Sequence, residues 1–222
     1  TRFTVANLAA ELKANLISPG TTPLSPPGSC VATKFYWASR LRLKPAPKVT
    51  SLTGPALIRR LIAEFLGTAV IGAATIGATA TQQSSVFVSL VVAGTWAVML
   101  LLFSGSLNVH LNPALTFFYI SRSQLKARPG VLIALAQVAG AVLGVWLGGL
   151  LGGHNWWQVS AHNISNGQLF SEVLSTAVLI WLIGHLGATK RESLIPVAVL
   201  GWLFVSGVFT SSGAVANPAL TI

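Results

Sequence analysis

Long apolar stretches alternate with short polar connections along the last three quarters of the chain. Five of these stretches approach the roughly twenty residues that a helix needs to cross about 30 Å of hydrocarbon. The pattern therefore predicts five membrane-spanning helices and an all-α fold. The predicted spans cover residues 56–79, 86–103, 131–151, 169–186 and 194–209.

Composition supports a multi-pass protein whose principal partner is the lipid bilayer. The chain is 53% hydrophobic and only 8% charged, whereas soluble domains carry about a quarter charged residues. Such a chain cannot cover itself with a polar surface. Its lone cysteine, Cys30, excludes an internal disulfide and a cysteine metal site.

Small residues recur within two of the spans. Spacings of four and five residues place glycines on or near one helix face, where they let neighbouring helices approach closely. The sequence thus predicts a tight bundle. These glycines are Gly67, Gly72 and Gly77 in the first span and Gly140, Gly144 and Gly148 in the third.

Residues 1–55 form a predicted tail that is basic, poor in acid and interrupted by seven prolines. Segments of this composition lack a core of their own, although residues 3–16 have the pattern of one short helix. We expect the tail to lie on the membrane surface, to dock through residues 3–48 on other subunits, or to form an interface with its own membrane domain. That transmembrane domain is predicted to occupy residues 56–222.

Positive charge recurs on alternate connections. Lys and Arg are absent from residues 80–85 and 152–168 but present in the other gaps, as the positive-inside rule requires. The tail then faces the cytoplasm, stroma or matrix. Its acid-poor composition and the missing initiator Met favour an organellar membrane. The charged positions are Arg59, Arg60, Arg122, Lys126, Arg128, Lys190 and Arg191.

The net charge of +10 could also indicate nucleic acid. The basic residues have no interleaved aromatics and no recognition motif, so nucleic-acid binding is not predicted. Asn163-Ile164-Ser165 fits a glycosylation acceptor on the uncharged outer loop, which is a weak pattern.

Two halves of the chain repeat one another. The stretch 64–70 recurs as 172–178 with Glu64 matched to Glu172, and Trp96 is matched to Trp202. Three crossings per repeat invert the second copy. Repeat one covers about residues 56–151 and repeat two about residues 169–222. The repeated motifs are Asn112-Pro113-Ala114 and Asn217-Pro218-Ala219.

Each Asn-Pro-Ala motif predicts a short helix, because Asn is a favoured N-cap and Pro suits the first helical position. Inversion brings their positive N-terminal ends together near the midplane. Non-helical backbone at that depth requires surrounding protein or a water-filled path, so the motifs predict a pore. If the oxygens of Asn112 and Asn217 cap their helices, both NH2 groups remain to donate to a passing water or hydroxyl. Such a centre disfavours cations and passes neutral molecules.

Catalytic chemistry is not predicted. No nucleophile has a base partner, and the four histidines lack metal-ligand spacing. We therefore expect no enzyme activity, metal or cofactor. The histidines are His110, His154, His162 and His185.

The motifs resemble those of the aquaporin, or major intrinsic protein, family. Residues 63–68, 110–114, 136–141 and 213–219 look like that family's first span, first pore loop, third span and second pore loop. The resemblance implies a homo-tetrameric channel. It also implies that Glu64 and Glu172 are buried and hold pore-loop backbone, and that His110 belongs to the pore loop.

The chain departs from that family at its constriction. Leu220 stands where most members carry an Arg after the second motif. Val92, Gly207 and Ala214 are expected at the other filter positions, which predicts a wide or apolar filter for small uncharged solutes, or one closed by neighbouring side chains. Asn108 also replaces a family glycine in the first loop.

Three hypotheses follow. The first is a facilitative channel for water or another small neutral solute. The second is a non-conducting aquaporin-like subunit of a larger membrane complex, motivated by the tail, by Leu220 and by the absence of a sixth span before Ile222. That ending predicts either a truncated chain or a bundle that another protein completes. The third, a secondary transporter, requires ionisable groups beyond Glu64 and Glu172 and is the weakest.

Overall fold

The computed structural model describes residues 52–81, 84–153 and 164–220, with residues 104–106 described by their backbone alone. Nearly all of the predicted tail lies outside these ranges, as does Asn163 of the glycosylation acceptor.

The described chain folds into α-helices joined by short connections. All five predicted spans are confirmed as helices long and apolar enough to cross a membrane. Arg60, predicted as an orientation charge ahead of the first span, instead lies buried inside that helix. The helices are α1 (Gly54–Ala80), α2 (Ser85–Leu107), α3 (Pro113–Ser121), α4 (Ala127–Leu151), α5 (Asn166–Ala188) and α6 (Ile195–Phe209), with a 3-10 turn at Glu192–Leu194.

Local sequence explains where two of these helices begin. Asn112 caps α3 with extended backbone, and Pro113 occupies the first helical position. Ser165 caps α5 in a capping box with Gln168, in which each side chain satisfies a backbone N–H of the other residue. The half-helix α3 is therefore a separate element and not a continuation of α2.

Helices α1 and α4 pack face to face through glycine. A methyl group placed on Gly140 or Gly144 would collide with the carbonyl oxygens of Phe65 and Ala69, and one on Gly148 would lie 2.7 Å from the Ala73 oxygen. Small residues at four-residue intervals thus let two backbones meet.

The space beside Gly67 is filled by a side chain of the first motif's loop. A methyl group there would lie 2.5 Å from the side chain of Leu111, which precedes the first motif. The small residue in α1 therefore makes room for the loop that carries Asn112.

The core lies between the spans, and apolar side chains also cover the outside. Trp96, Leu111 and Leu203 are almost fully buried, whereas Leu102 and Trp181 are mostly exposed. Exposed apolar residues occur on every span, as expected where lipid replaces water. The described part of the chain is an all-helical, multi-pass membrane bundle, as the sequence predicts.

Candidate functional site

Two loops that carry the Asn-Pro-Ala motifs meet inside the bundle. The Asn112 Nδ2 atom donates to the Ala216 carbonyl oxygen at 2.8 Å, and the Asn217 Nδ2 atom donates to the Leu111 carbonyl oxygen at 2.9 Å. Both asparagines are buried. Leu111 and Ala216 are each the residue before a motif, so the contact is reciprocal.

The carboxamide oxygens of the same asparagines act as helix caps. Asn112 Oδ1 accepts from Ala114 N at 2.9 Å, and Asn217 Oδ1 accepts from Ala219 N at 3.1 Å. The oxygens are therefore used as predicted. Each NH2 group gives one hydrogen to the opposite loop, and donation from these groups to a permeating molecule stays a prediction.

The second motif is described only as far as Leu220. Pro218, Ala219 and Leu220 form a turn, and Leu220 N donates to the Asn217 carbonyl oxygen at 3.0 Å. The half-helix predicted there stays a prediction.

Glu64 fixes the first loop from α1. Its Oε1 accepts from His110 N at 2.8 Å, and its Oε2 accepts from Leu111 N at 2.6 Å. Gln137 Nε2 donates at 2.7 Å and Arg60 Nε at 3.4 Å. The carboxylate is fully buried, so these four donors offset the large cost of removing its charge from water.

Glu172 makes the equivalent contacts in the second half. It accepts from Val215 N at 3.1 Å and from Ala216 N at 2.8 Å. Val215 and Ala216 precede the second asparagine by two residues and one residue, as His110 and Leu111 precede the first. The repeat seen in the sequence is thus a repeat of hydrogen bonds.

The residue before each motif adopts the left-handed conformation, with φ of 55° at Leu111 and 48° at Ala216. This backbone costs a non-glycine residue about 1–2 kcal/mol. At both positions the N–H reaches a glutamate while the carbonyl oxygen reaches the opposite asparagine. These paired contacts offset the strain at the point where the halves touch.

Four residues before each asparagine, the backbone is left-handed again. Asn108 has φ of 52° and Gly213 has φ of 73°. Asparagine visits this region more readily than other non-glycine residues. Asn108, where the resemblance implies a glycine, therefore fits the left-handed backbone at this position.

His110 connects the first loop to α1 and α3. Its Nε2 lies 3.0 Å from Arg60 Nη2, its Nδ1 lies 3.1 Å from Thr116 Oγ1, and its ring stacks on Tyr119 at 4.5 Å. Arg60 and His110 are each 4% exposed. Sequence analysis missed Arg60 and Thr116, although the i, i+4 spacing of Arg60 and Glu64 was a usable signal.

Three of the predicted filter residues are buried or partly buried against their neighbours. A methyl group on Gly207 would lie 2.6 Å from Ser89 Oγ, so this glycine brings α6 against α2. Val92 is partly buried against the core, and Ala214 is buried with φ of 43°.

Leu220 lies against the interface of α1 and α4. A methyl group on Gly72 would be 3.1 Å from Leu220 Cδ2 and 3.3 Å from the Cα of Gly144. The residue after the second motif therefore reaches the first half of the bundle.

The chain is similar in sequence to known proteins. A family model described as MIP, Major intrinsic protein, matches residues 51–222. The chain is also similar to Aquaglyceroporin AqpS of Rhizobium meliloti (strain 1021), with 28% identity over 175 residues that cover 75% of each protein.

Proposed function

Since the chain belongs to the major intrinsic protein family and is a membrane channel for water or small solutes, we propose that its permeating molecule passes the junction of the two Asn-Pro-Ala motifs. The reciprocal contact between Asn112 and Asn217 carries this proposal. This contact joins the tips of the two loops inside the bundle, where irregular backbone requires protein or a water-filled path around it.

The junction favours neutral molecules over cations. The positive end of α3 points at it, and Asn112 keeps one of its two amide hydrogens beyond the bond to Ala216. That hydrogen donates to a water or hydroxyl oxygen. A cation would lose hydration at a site that presents donors and positive helix charge.

The proposed substrates are water and small polyols of about glycerol size. The expected filter positions are apolar or small: Val92, Gly207, Ala214 and Leu220. A similar protein is an aquaglyceroporin, which favours the same class. No reaction is required, and members of the family are channels rather than enzymes.

The test is osmotic shrinkage of proteoliposomes that contain the purified chain, with water and glycerol measured separately. We expect rates well above protein-free liposomes, and a loss of about tenfold or more in Asn112→Asp, because the replacement removes the amide donor. Asn166→Asp is the matched control, since Asn166 is exposed at the start of α5.

Failure of wild-type protein to exceed protein-free liposomes for either solute would overturn conduction. It would favour the non-conducting subunit of a larger complex. Cross-linking of the membrane-embedded protein then distinguishes the proposed homo-tetramer from contacts that residues 3–48 make with other subunits. Protease accessibility in sealed vesicles tests whether the tail faces the cytoplasmic, stromal or matrix side.

A further inference from the structure

The contacts of His110 determine which ring nitrogen carries its proton. A guanidinium group can only donate hydrogen bonds, so Nε2, which lies 3.0 Å from Arg60 Nη2, must present its lone pair. The proton of the neutral ring is then on Nδ1 and is donated to Thr116 Oγ1 at 3.1 Å.

We propose that Arg60 is a positioning residue that holds His110 as the neutral Nδ1–H tautomer and so makes permeation insensitive to pH between about 5 and 8. The transport part of this inference rests on the proposed channel function. The tautomer itself does not.

The neighbouring hydrogen bonds agree with this assignment. Thr116 Oγ1 accepts from His110 and from Gln137 Nε2 at 3.1 Å, and donates its own proton to the Asn112 carbonyl oxygen at 3.1 Å. Gln137 gives its other amide hydrogen to Glu64. Each hydrogen has one acceptor in this scheme. The opposite tautomer would set an N–H of His110 against the guanidinium of Arg60.

A protonated His110 would meet the same obstacle. Two charged groups lie next to His110, and both come from α1: Arg60 and Glu64. The other polar neighbours are uncharged, namely Tyr119 of α3 and Gln137 of α4. Glu64 is the one carboxylate among them, and its two oxygens already accept from four donors. An imidazolium would have to displace Arg60 and compete for Glu64.

Competition for Glu64 would also disturb the first loop, because Glu64 accepts hydrogen bonds from the backbone N–H groups of His110 and Leu111. Replacing Arg60 removes the positive charge beside His110 and leaves the Glu64 carboxylate as its charged neighbour, so His110 should then protonate in mild acid and disturb the residue that contacts Asn217. Arg60→Met removes the donor but keeps an apolar chain of similar reach. Arg60→Lys keeps a group that only donates.

Two measurements test the inference in lipid vesicles. The first is ¹⁵N NMR of histidine-labelled protein between pH 5 and 8, with the His110 signals identified by their loss in His110→Asn. We expect an unprotonated Nε2 and a protonated Nδ1 throughout this range in wild type and in Arg60→Lys. In Arg60→Met we expect titration within it.

The second measurement is the pH profile of osmotic permeation. The permeation rate should vary by less than about twofold from pH 8 to 5 in wild type, in Arg60→Lys and in the exposed control Arg59→Met. The permeation rate of Arg60→Met should fall about threefold or more between pH 8 and pH 5, because a histidine that gains a proton in this range changes the charge of the site.

A proton on Nε2 of wild-type His110, or ordinary titration of that residue in wild type, would overturn the inference. So would an Arg60→Met protein that keeps the wild-type tautomer at every pH. Absence of permeation in all variants would instead count against the channel function, and the NMR result would still decide the role of Arg60.

Discussion

Asn112 and Asn217 hold each other's loops, because each side-chain amide donates to the carbonyl oxygen of the residue that precedes the other asparagine. The same side chains cap their own motifs through oxygen. Each asparagine therefore fixes both the start of its own motif and the position of the opposite one. The contact between the two halves of the bundle depends on both residues.

This reciprocity predicts non-additive effects on stability. Asn112→Asp or Asn217→Asp alone places a carboxylate oxygen against a carbonyl oxygen, at a cost of about 2–3 kcal/mol. Because both changes break one junction, the double variant should lose about 1 kcal/mol less than the sum of the single losses. Thermal unfolding in detergent measures this, with Asn166→Asp as control. Strictly additive losses would show that the two contacts are independent.

Replacement by Gln should lower the free energy of unfolding more at Glu64 than at Glu172. Glu64 is fully buried and accepts from four donors, whereas Glu172 is half-buried and accepts from the two backbone N–H groups of Val215 and Ala216. A Gln side chain has one acceptor oxygen and adds donors of its own. Buried donors are thus left unpaired in Glu64→Gln.

We expect Glu64→Gln to cost about 2–4 kcal/mol and Glu172→Gln about 1–2 kcal/mol in the free energy of unfolding. The exposed Glu192→Gln, outside both loops, should be close to neutral. Thermal midpoints in one detergent compare the three proteins. Equal losses at Glu64 and Glu172 would mean that the additional donors to Glu64 contribute little.

The spans could be predicted from sequence because apolar length alone sets them in a bilayer. All five were found, within a few residues of the helix ends. The capping role of Asn112 was also predictable, since Asn followed by Pro is a local signal. Such features depend on residues close together in the chain.

The rest of the site depends on residues far apart. The bond from Asn112 to Ala216 joins positions 104 residues apart, and that from Asn217 to Leu111 joins positions 106 apart. No local pattern specifies which acceptor an amide hydrogen finds. Arg60 was misassigned for a similar reason, because a charge near a helix end is typical of an interfacial anchor and its partner His110 is 50 residues away.

The contact between α1 and α4 predicts a sharp difference between two glycine variants. In Gly144→Ala the new methyl group meets the Ala69 carbonyl oxygen, whereas in Gly201→Ala it meets nothing within 4 Å. Overpacking of this kind costs about 1–3 kcal/mol. Gly201→Ala should be neutral or slightly stabilising, because Ala is the better helix former. Thermal midpoints in detergent provide the comparison, and similar midpoints would argue against close backbone contact at Gly144.

Solute selectivity should depend on the side chain at Leu220. Its side chain reaches Gly72 of α1, so a longer, charged side chain at this position should narrow the proposed filter and add positive charge to it. Leu220→Arg should lower glycerol permeation about tenfold while water permeation falls less, because a larger solute loses more from a narrower constriction. Leu220→Met, which is similar in volume and uncharged, should keep the wild-type ratio of glycerol to water. Stopped-flow measurements on the same proteoliposome preparations give both rates. Equal losses of water and glycerol in Leu220→Arg would place Leu220 outside the solute path and leave it a packing role between α1 and α4.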